Sequence, residues 1–272
     1  MRELSIFTGQ PLGPNPPAGS IERSLEDLSL YGFTVLPPEN GFNIVEVRRE
    51  IDSAYLDEVS AFGQSNLAEI NDLGVVRNPF LKSNLCRRIA FSAENMRLCQ
   101  QIFGDQYILH VNRYVISDPE FVHPATQWHR EPPYNNLIAN KPIALTYIHL
   151  PDGSSSINSG LTLLPGSHKW SDFPSDDFVN KNAIVPTIEP GATLVIDSNL
   201  FHRGGLKGNQ RRRSIVTIFT TPVIKQQTNI AMTVLKKYPH LADEITRGRF
   251  ILGLQTEPKE TDLAYREAKL LK

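Results

Sequence analysis

Gln127-Trp128-His129-Arg130-Glu131 is the stretch from which the rest of this chain can be read. Side chains alternate along an extended strand, so a histidine and a carboxylate two residues apart project from one face. Side by side they can hold one edge of a divalent metal. A third donor must come from elsewhere, and Phe201-His202-Arg203-Gly204-Gly205 offers a histidine just after the strand-like residues 190–197. Two histidines and one carboxylate on one face of a metal leave its other positions open, the facial arrangement of non-haem Fe(II) centres. His-x-Glu alone is a weak signal. Its context strengthens it, because Pro132-Pro133-Tyr134-Asn135-Asn136 follows as a rigid polar turn suited to a pocket rim.

The bulk composition narrows the field. The 272 residues suffice for one large β-rich domain with flanking helices, and the expectation is a single domain over 1–272. A net charge of −1 provides no basic field for nucleic acid or an anionic membrane. The two cysteines, Cys86 and Cys99, lie in a helical-looking stretch and read as buried thiols of a reducing compartment, not as a disulfide. Residues 1–10 carry no basic flank before an apolar core, and no apolar run approaches membrane-spanning length. The expected setting is the cytoplasm.

The chain divides into three parts. In the first, about 20–104, Ser20 is an N-cap, Ile21, Leu25 and Leu28 share a helix face, and Gly32 is the stop. Residues 33–36 form a short strand, a second helix runs to about Phe62, and a third covers about 82–103. From about 105 to 222 the pattern changes to short runs rich in Ile, Val, Thr and Tyr, separated by Pro, Gly, Asn and Ser. Many short strands of this kind point to a sandwich, jelly roll or barrel. The tail, about 226–272, turns helical again. There Val234, Leu235, Tyr238, Leu241 and Ile245 recur at helical spacing, to cover the β core or to pair with a second subunit.

Arg211-Arg212-Arg213 leads into the last of these strands, and at most one of the three can point inward. Ile215, Thr217 and Phe219 share a face with Arg211 and Arg213, while Ser214, Val216 and Ile218 share the other. A buried arginine is costly unless it meets an anion. A dicarboxylate such as 2-oxoglutarate would supply one, gripped by the planar guanidinium.

Several segments in order resemble the phytanoyl-CoA dioxygenase family of Fe(II)/2-oxoglutarate oxygenases. They are Leu28-Ser29-Leu30-Tyr31-Gly32-Phe33-Thr34-Val35-Leu36, Val76-Arg77-Asn78-Pro79, Asn112-Arg113-Tyr114, Gln127 to Glu131, Asn158-Ser159-Gly160-Leu161 and Leu164-Pro165-Gly166-Ser167-His168-Lys169. The resemblance implies a double-stranded β-helix, a jelly-roll or cupin-like core, with helices packed outside. It makes His129 and His202 iron ligands, with Glu131 at a position where the family usually has aspartate. An arginine about eleven residues beyond the distal histidine should grip the far carboxylate of 2-oxoglutarate. That spacing points to Arg213, with Arg212 as runner-up because Arg212-x-Ser214 resembles a pair used by related oxygenases. Asn112 and Tyr114 are further candidates for the cosubstrate. Arg130, Tyr134, Asn135, Asn136 and Arg203 flank the ligands and are candidates for the substrate pocket. His168 is assigned to the family's structural turn, and His110 and His149 to packing. The implied reaction is oxidation, most simply hydroxylation, of an unactivated C–H bond of a small molecule, with O2 consumed and succinate and CO2 released. The rival is a non-catalytic β-helix binding protein whose Glu131 fails to reach a metal. The assembly expected is a monomer or homodimer.

Overall fold

The computed structural model describes residues 16–17, 19–121, 124–131, 138–205, 209–255 and 261–270. Helix α1 (Ile21–Tyr31) starts where the Ser20 hydroxyl accepts from the Arg23 N–H, and it ends at Gly32, whose N–H returns to Leu28. Strand β1 (Phe33–Leu36) follows, then α2 (Ile44–Phe62), capped by Asn43, and α3 (Gln64–Glu69). After β2 (Val75–Arg77), the helix expected over 82–103 is in fact two, α4 (Asn84–Ala90) and α5 (Ala93–Phe103). The break is local chemistry. The Ser92 hydroxyl accepts from the Asn95 N–H and restarts the helix, since a serine there competes for backbone donors.

The β-rich middle holds β3 (Ile108–Ser117), β4 (Ala144–His149), β5 (Thr162–Leu163), β6 (Thr193–Asp197), β7 (His202–Arg203) and β8 (Arg212–Thr220), with α6 (Asp176–Asn182) between β5 and β6. Six strands form an antiparallel sheet in the order β1-β6-β4-β8-β3-β2. A smaller sheet pairs β5 with β7 and is extended by single bridges from Ile184 to Leu163 and from His129 to His202. Adjacent strands of the large sheet are far apart in sequence, as expected for a double-stranded β-helix and not a meander.

Alternation divides the core in two. Between the sheets lie Val111, Ile148, Leu163, Leu194, Val216 and Ile218. Between the large sheet and the helices lie Ile51, Leu98, Tyr114, Tyr147, Ile215 and Phe219. Along β8 the even-numbered residues therefore face inward and the odd-numbered ones face the helices. The tail joins the helical side through α7 (Ile230–Lys237), α8 (Leu241–Glu244) and α9 (Gly248–Ile251), followed by α10 (Asp262–Leu270). Val234, Leu241 and Ile245 are buried in that core and Tyr238 packs against it, whereas Leu235 stays exposed. Cys86 and Cys99 are both free and buried. Among the described residues no helix is long and apolar enough to cross a membrane.

Gly32 joins the helical part to the site-bearing sheets. Its φ of +81° is left-handed, and a β-carbon there would stand 2.5 Å from His168 Nδ1 and 2.8 Å from Leu200 Cδ1. Gly32→Ala should lower the unfolding free energy by about 2–4 kcal/mol, from backbone strain plus overpacking. Denaturant midpoints at unchanged m-value would measure it. Adding His168→Ala should recover only the steric part.

Candidate active site

His129 and His202 are held opposite each other by a reciprocal pair of backbone hydrogen bonds, His129 N–H to His202 O at 3.0 Å and His202 N–H to His129 O at 3.1 Å. Two residues on, the Glu131 N–H donates to Ser198 O at 3.0 Å, so the segment stays tied down through the carboxylate residue. Each imidazole is oriented by its own chain. His129 Nδ1 lies 2.8 Å from Gln127 O, and His202 Nδ1 lies 2.9 Å from Leu200 O. A carbonyl only accepts, so Nδ1 carries the proton in both rings and Nε2 presents its lone pair. The three ligating atoms of His129, Glu131 and His202 lie within 4.8 Å of one another. Borderline nitrogens plus one carboxylate suit a first-row divalent metal such as iron, and the residues fit that group.

The electrostatics favour the ligating forms of Glu131 and His129. Burial works to raise the Glu131 carboxyl, but the Arg113 guanidinium foremost, with the two neighbouring histidines, outweighs it and holds the group well below the usual carboxylate range. Burial, reinforced by His202, lowers His129 and favours its neutral, ligating form.

The triad lies in the wall of a cavity of about 310 Å³ between the two sheets. Arg212 also lines it, with Ser117, Ser159 and Ser214. Arg212 is only 3% exposed. Its Nε donates to Ser159 O at 3.1 Å and its Nη2 to Ser117 Oγ at 3.2 Å. Among the described residues no carboxylate forms an ion pair with it. Burial, partly countered by Asp152, brings its pKa down to about 10, which still leaves it a cation at neutral pH. Val115, Ile148, Leu161 and Val216 supply apolar walls.

Several residues singled out in the sequence point elsewhere. Arg213 lies on the helix-facing side of β8 and not in the cavity. Its Nε and Nη2 reach the two Asp52 oxygens at 2.8 Å each, and its Nη1 reaches Asp152 at 3.0 Å. Arg211 pairs with Asp118 at 2.6 Å. Asn112 and Tyr114 also face the helices. Asn112 accepts from the Phe80 N–H at 3.1 Å and donates to Thr217 Oγ1 at 3.0 Å, while Tyr114 donates to Glu50. Arg130, between two triad residues, necessarily points to the opposite side. Its guanidinium sits 3.8 Å over the Phe201 ring and donates to Ser167 O at 3.0 Å. Arg203 similarly stacks 4.8 Å over Trp128. Neither arginine lines the cavity. Tyr134, Asn135 and Asn136 lie outside the described residues, as does His123. His149 is buried with Nδ1 3.2 Å from Thr193 Oγ1, and buried His168 packs over Gly32, so neither enters the cavity.

Arg113 was missed. Its neighbours Asn112 and Tyr114 were named instead, yet Arg113 is the one of the three facing the cavity, with Nη2 at 3.4 Å and 3.5 Å from the two Glu131 oxygens. The signal was available, since strand alternation groups Arg113 with Val115 and Ser117.

Residues 35–214 match the phytanoyl-CoA dioxygenase (PhyH) family, and the chain belongs to it. Dioxygenase cdmD of Talaromyces verruculosus is 23% identical over 190 residues, a match spanning 60% of this chain and 61% of that protein. EctD from S. alaskensis, solved with 2-oxoglutarate and 5-hydroxyectoine, superposes with a TM-score of 0.57 at 18% identity, over 78% of this chain and 82% of its own. The epimerase SnoN, solved with Fe3+, α-ketoglutarate and nogalamycin RO, gives 0.58 at 15% identity, over 74% and 84%. The likeness to these structures shows the shared fold.

Arg213 ties α2 to β8, so its loss should register as instability. Arg213→Ala should lower the unfolding free energy by about 1–3 kcal/mol, discounted for its partial exposure. Chemical denaturation measures this, and a change below about 0.5 kcal/mol would show the network to be incidental.

Proposed function

We propose that this protein is an Fe(II)- and 2-oxoglutarate-dependent dioxygenase that hydroxylates an unactivated C–H bond of a small molecule. The observation that carries this reading is the pairing, within one cavity, of the His129/Glu131/His202 donor set with a buried cation, Arg212, that has no carboxylate partner among the described residues. When bound, iron and 2-oxoglutarate supply the oxidising chemistry: one oxygen of O2 goes to the substrate carbon, the other to the cosubstrate, which leaves as succinate and CO2. His129, Glu131 and His202 hold the metal. Arg212, with the Ser117 and Ser214 hydroxyls nearby, takes the carboxylate of 2-oxoglutarate farthest from it, in place of the Arg213 that sequence spacing suggested. The apolar walls exclude water from the reacting carbon. The small molecules bound by EctD and SnoN support a small-molecule substrate here. A purely binding role is less well supported, because it requires Glu131 to miss the metal, and its carboxylate lies with the two Nε2 atoms.

Anaerobic titration of 2-oxoglutarate tests the cosubstrate assignment. Arg212→Ala should weaken binding by about 30- to 1000-fold, the loss of a charge-assisted contact, and Arg213→Ala by less than about 2-fold. The reverse order would sink it. For the triad, iron stoichiometry and succinate production should rank wild type or Glu131→Asp above Glu131→Ala. Full iron loading and unchanged turnover in Glu131→Ala would make Glu131 a bystander.

A further inference from the structure

The geometry points to Arg113 as the positioning residue of the metal-binding carboxylate, its guanidinium contacting both Glu131 oxygens while Oε1 is kept facing His202. This inference rests on the proposed function. Oε1 of Glu131 lies 3.7 Å from His202 Nε2 and 3.4 Å from Arg113 Nη2, and Oε2 lies 3.5 Å from the same Nη2. Arg113 arrives from the opposite sheet. It projects inward from β3 opposite Val216 of β8, while Glu131 follows the His129 bridge to the small sheet. Glu131 is the only counter-charge in an ion pair with Arg113 among the described residues, and Arg113 Nε is buried without a partner. Among the described residues no competing carboxylate holds the guanidinium elsewhere.

A glutamate needs this support more than an aspartate would. Its extra methylene adds a rotatable bond, so an unrestrained carboxylate has more orientations to lose on ligation. An unrestrained carboxylate can also turn both oxygens toward the metal and take a position the cosubstrate needs. Contacts at 3.4–3.5 Å are long for hydrogen bonds, so Arg113 steers Glu131 by charge without drawing Oε1 away from the histidines.

The test is a double-mutant cycle on the full chain, with Co(II) as the metal probe and 2-oxoglutarate titrated anaerobically. Optical spectra and calorimetry follow binding, so no turnover is required. Wild type should take up one Co(II) and then bind 2-oxoglutarate. Arg113→Ala should weaken that second binding by about 10-fold or more and alter the Co(II) spectrum, and Arg113→Lys should restore part of both. In a Glu131→Asp background, whose shorter arm stays out of reach, Arg113→Ala should change binding by less than about 2-fold. Thermal midpoints confirm folding, and Arg113→Gln is read in the same way if the alanine variant does not fold. Equal losses in both backgrounds would mean that Arg113 acts on the cosubstrate or the fold directly, overturning the inference and leaving the proposed function intact. No loss in either background would also overturn it. Failure of wild type to take up Co(II) would overturn the proposed function and this inference with it.

Discussion

Two backbone hydrogen bonds between His129 and His202 set the geometry on which the rest of the site depends. They join segments 73 positions apart in the chain, so that metal donors meet only when the small sheet is assembled. Because those bonds fix the backbone, the pleat decides what each neighbour does. Glu131 falls on the same face as His129. Arg130 and Arg203 are turned outward, where they stack on Phe201 and Trp128. The Nδ1 bonds to Gln127 and Leu200 then fix the remaining freedom, the tautomer and tilt of each ring. Ligand identity is local in the sequence, but ligand geometry is not.

The same alternation separates the three consecutive arginines. Arg211 and Arg213 reach carboxylates on Asp118, Asp52 and Asp152, and they brace the helical layer. Arg212, one residue from either, is turned into the cavity and donates to the Ser159 carbonyl and the Ser117 hydroxyl. Taking an arginine from water into such a place costs free energy that neutral acceptors only partly offset. That cost is set against two extensive hydrophobic clusters, one on each face of the large sheet.

Much of the fold was legible because it followed from caps and periodicity. Ser20 and Gly32 act where their residue types predict, and the short β-type runs of the middle part become the two sheets. The helix break at Ser92 was concealed by an apolar pattern that runs on through it. The candidate triad was legible from the His-x-Glu spacing together with its context and the family resemblance, and the structure brings its three side chains together. The arginine assignment failed because distance from His202 was counted along the chain, although the face shared with Ser214 and Val216 was the physical criterion. Asn112 and Tyr114 were chosen over Arg113 for a similar reason: a motif was carried over without asking which of its members points inward.

Arg212 and Arg113 make a last comparison possible. Both are cations facing one cavity, yet Arg113 has Glu131 within reach while Arg212 forms no ion pair among the described residues. A cavity lined by two unopposed cations would repel a divalent metal, and one lined by two satisfied cations would offer an incoming dicarboxylate little. Pairing only the arginine that contacts the triad lets the metal end remain anionic and the far end remain cationic. On the proposed reading that gradient orients 2-oxoglutarate, because its far carboxylate is drawn to Arg212 while the metal supplies the positive charge at the other end. Occupancy would also relieve the buried guanidinium, so ligand binding and domain stability become linked through the same residue.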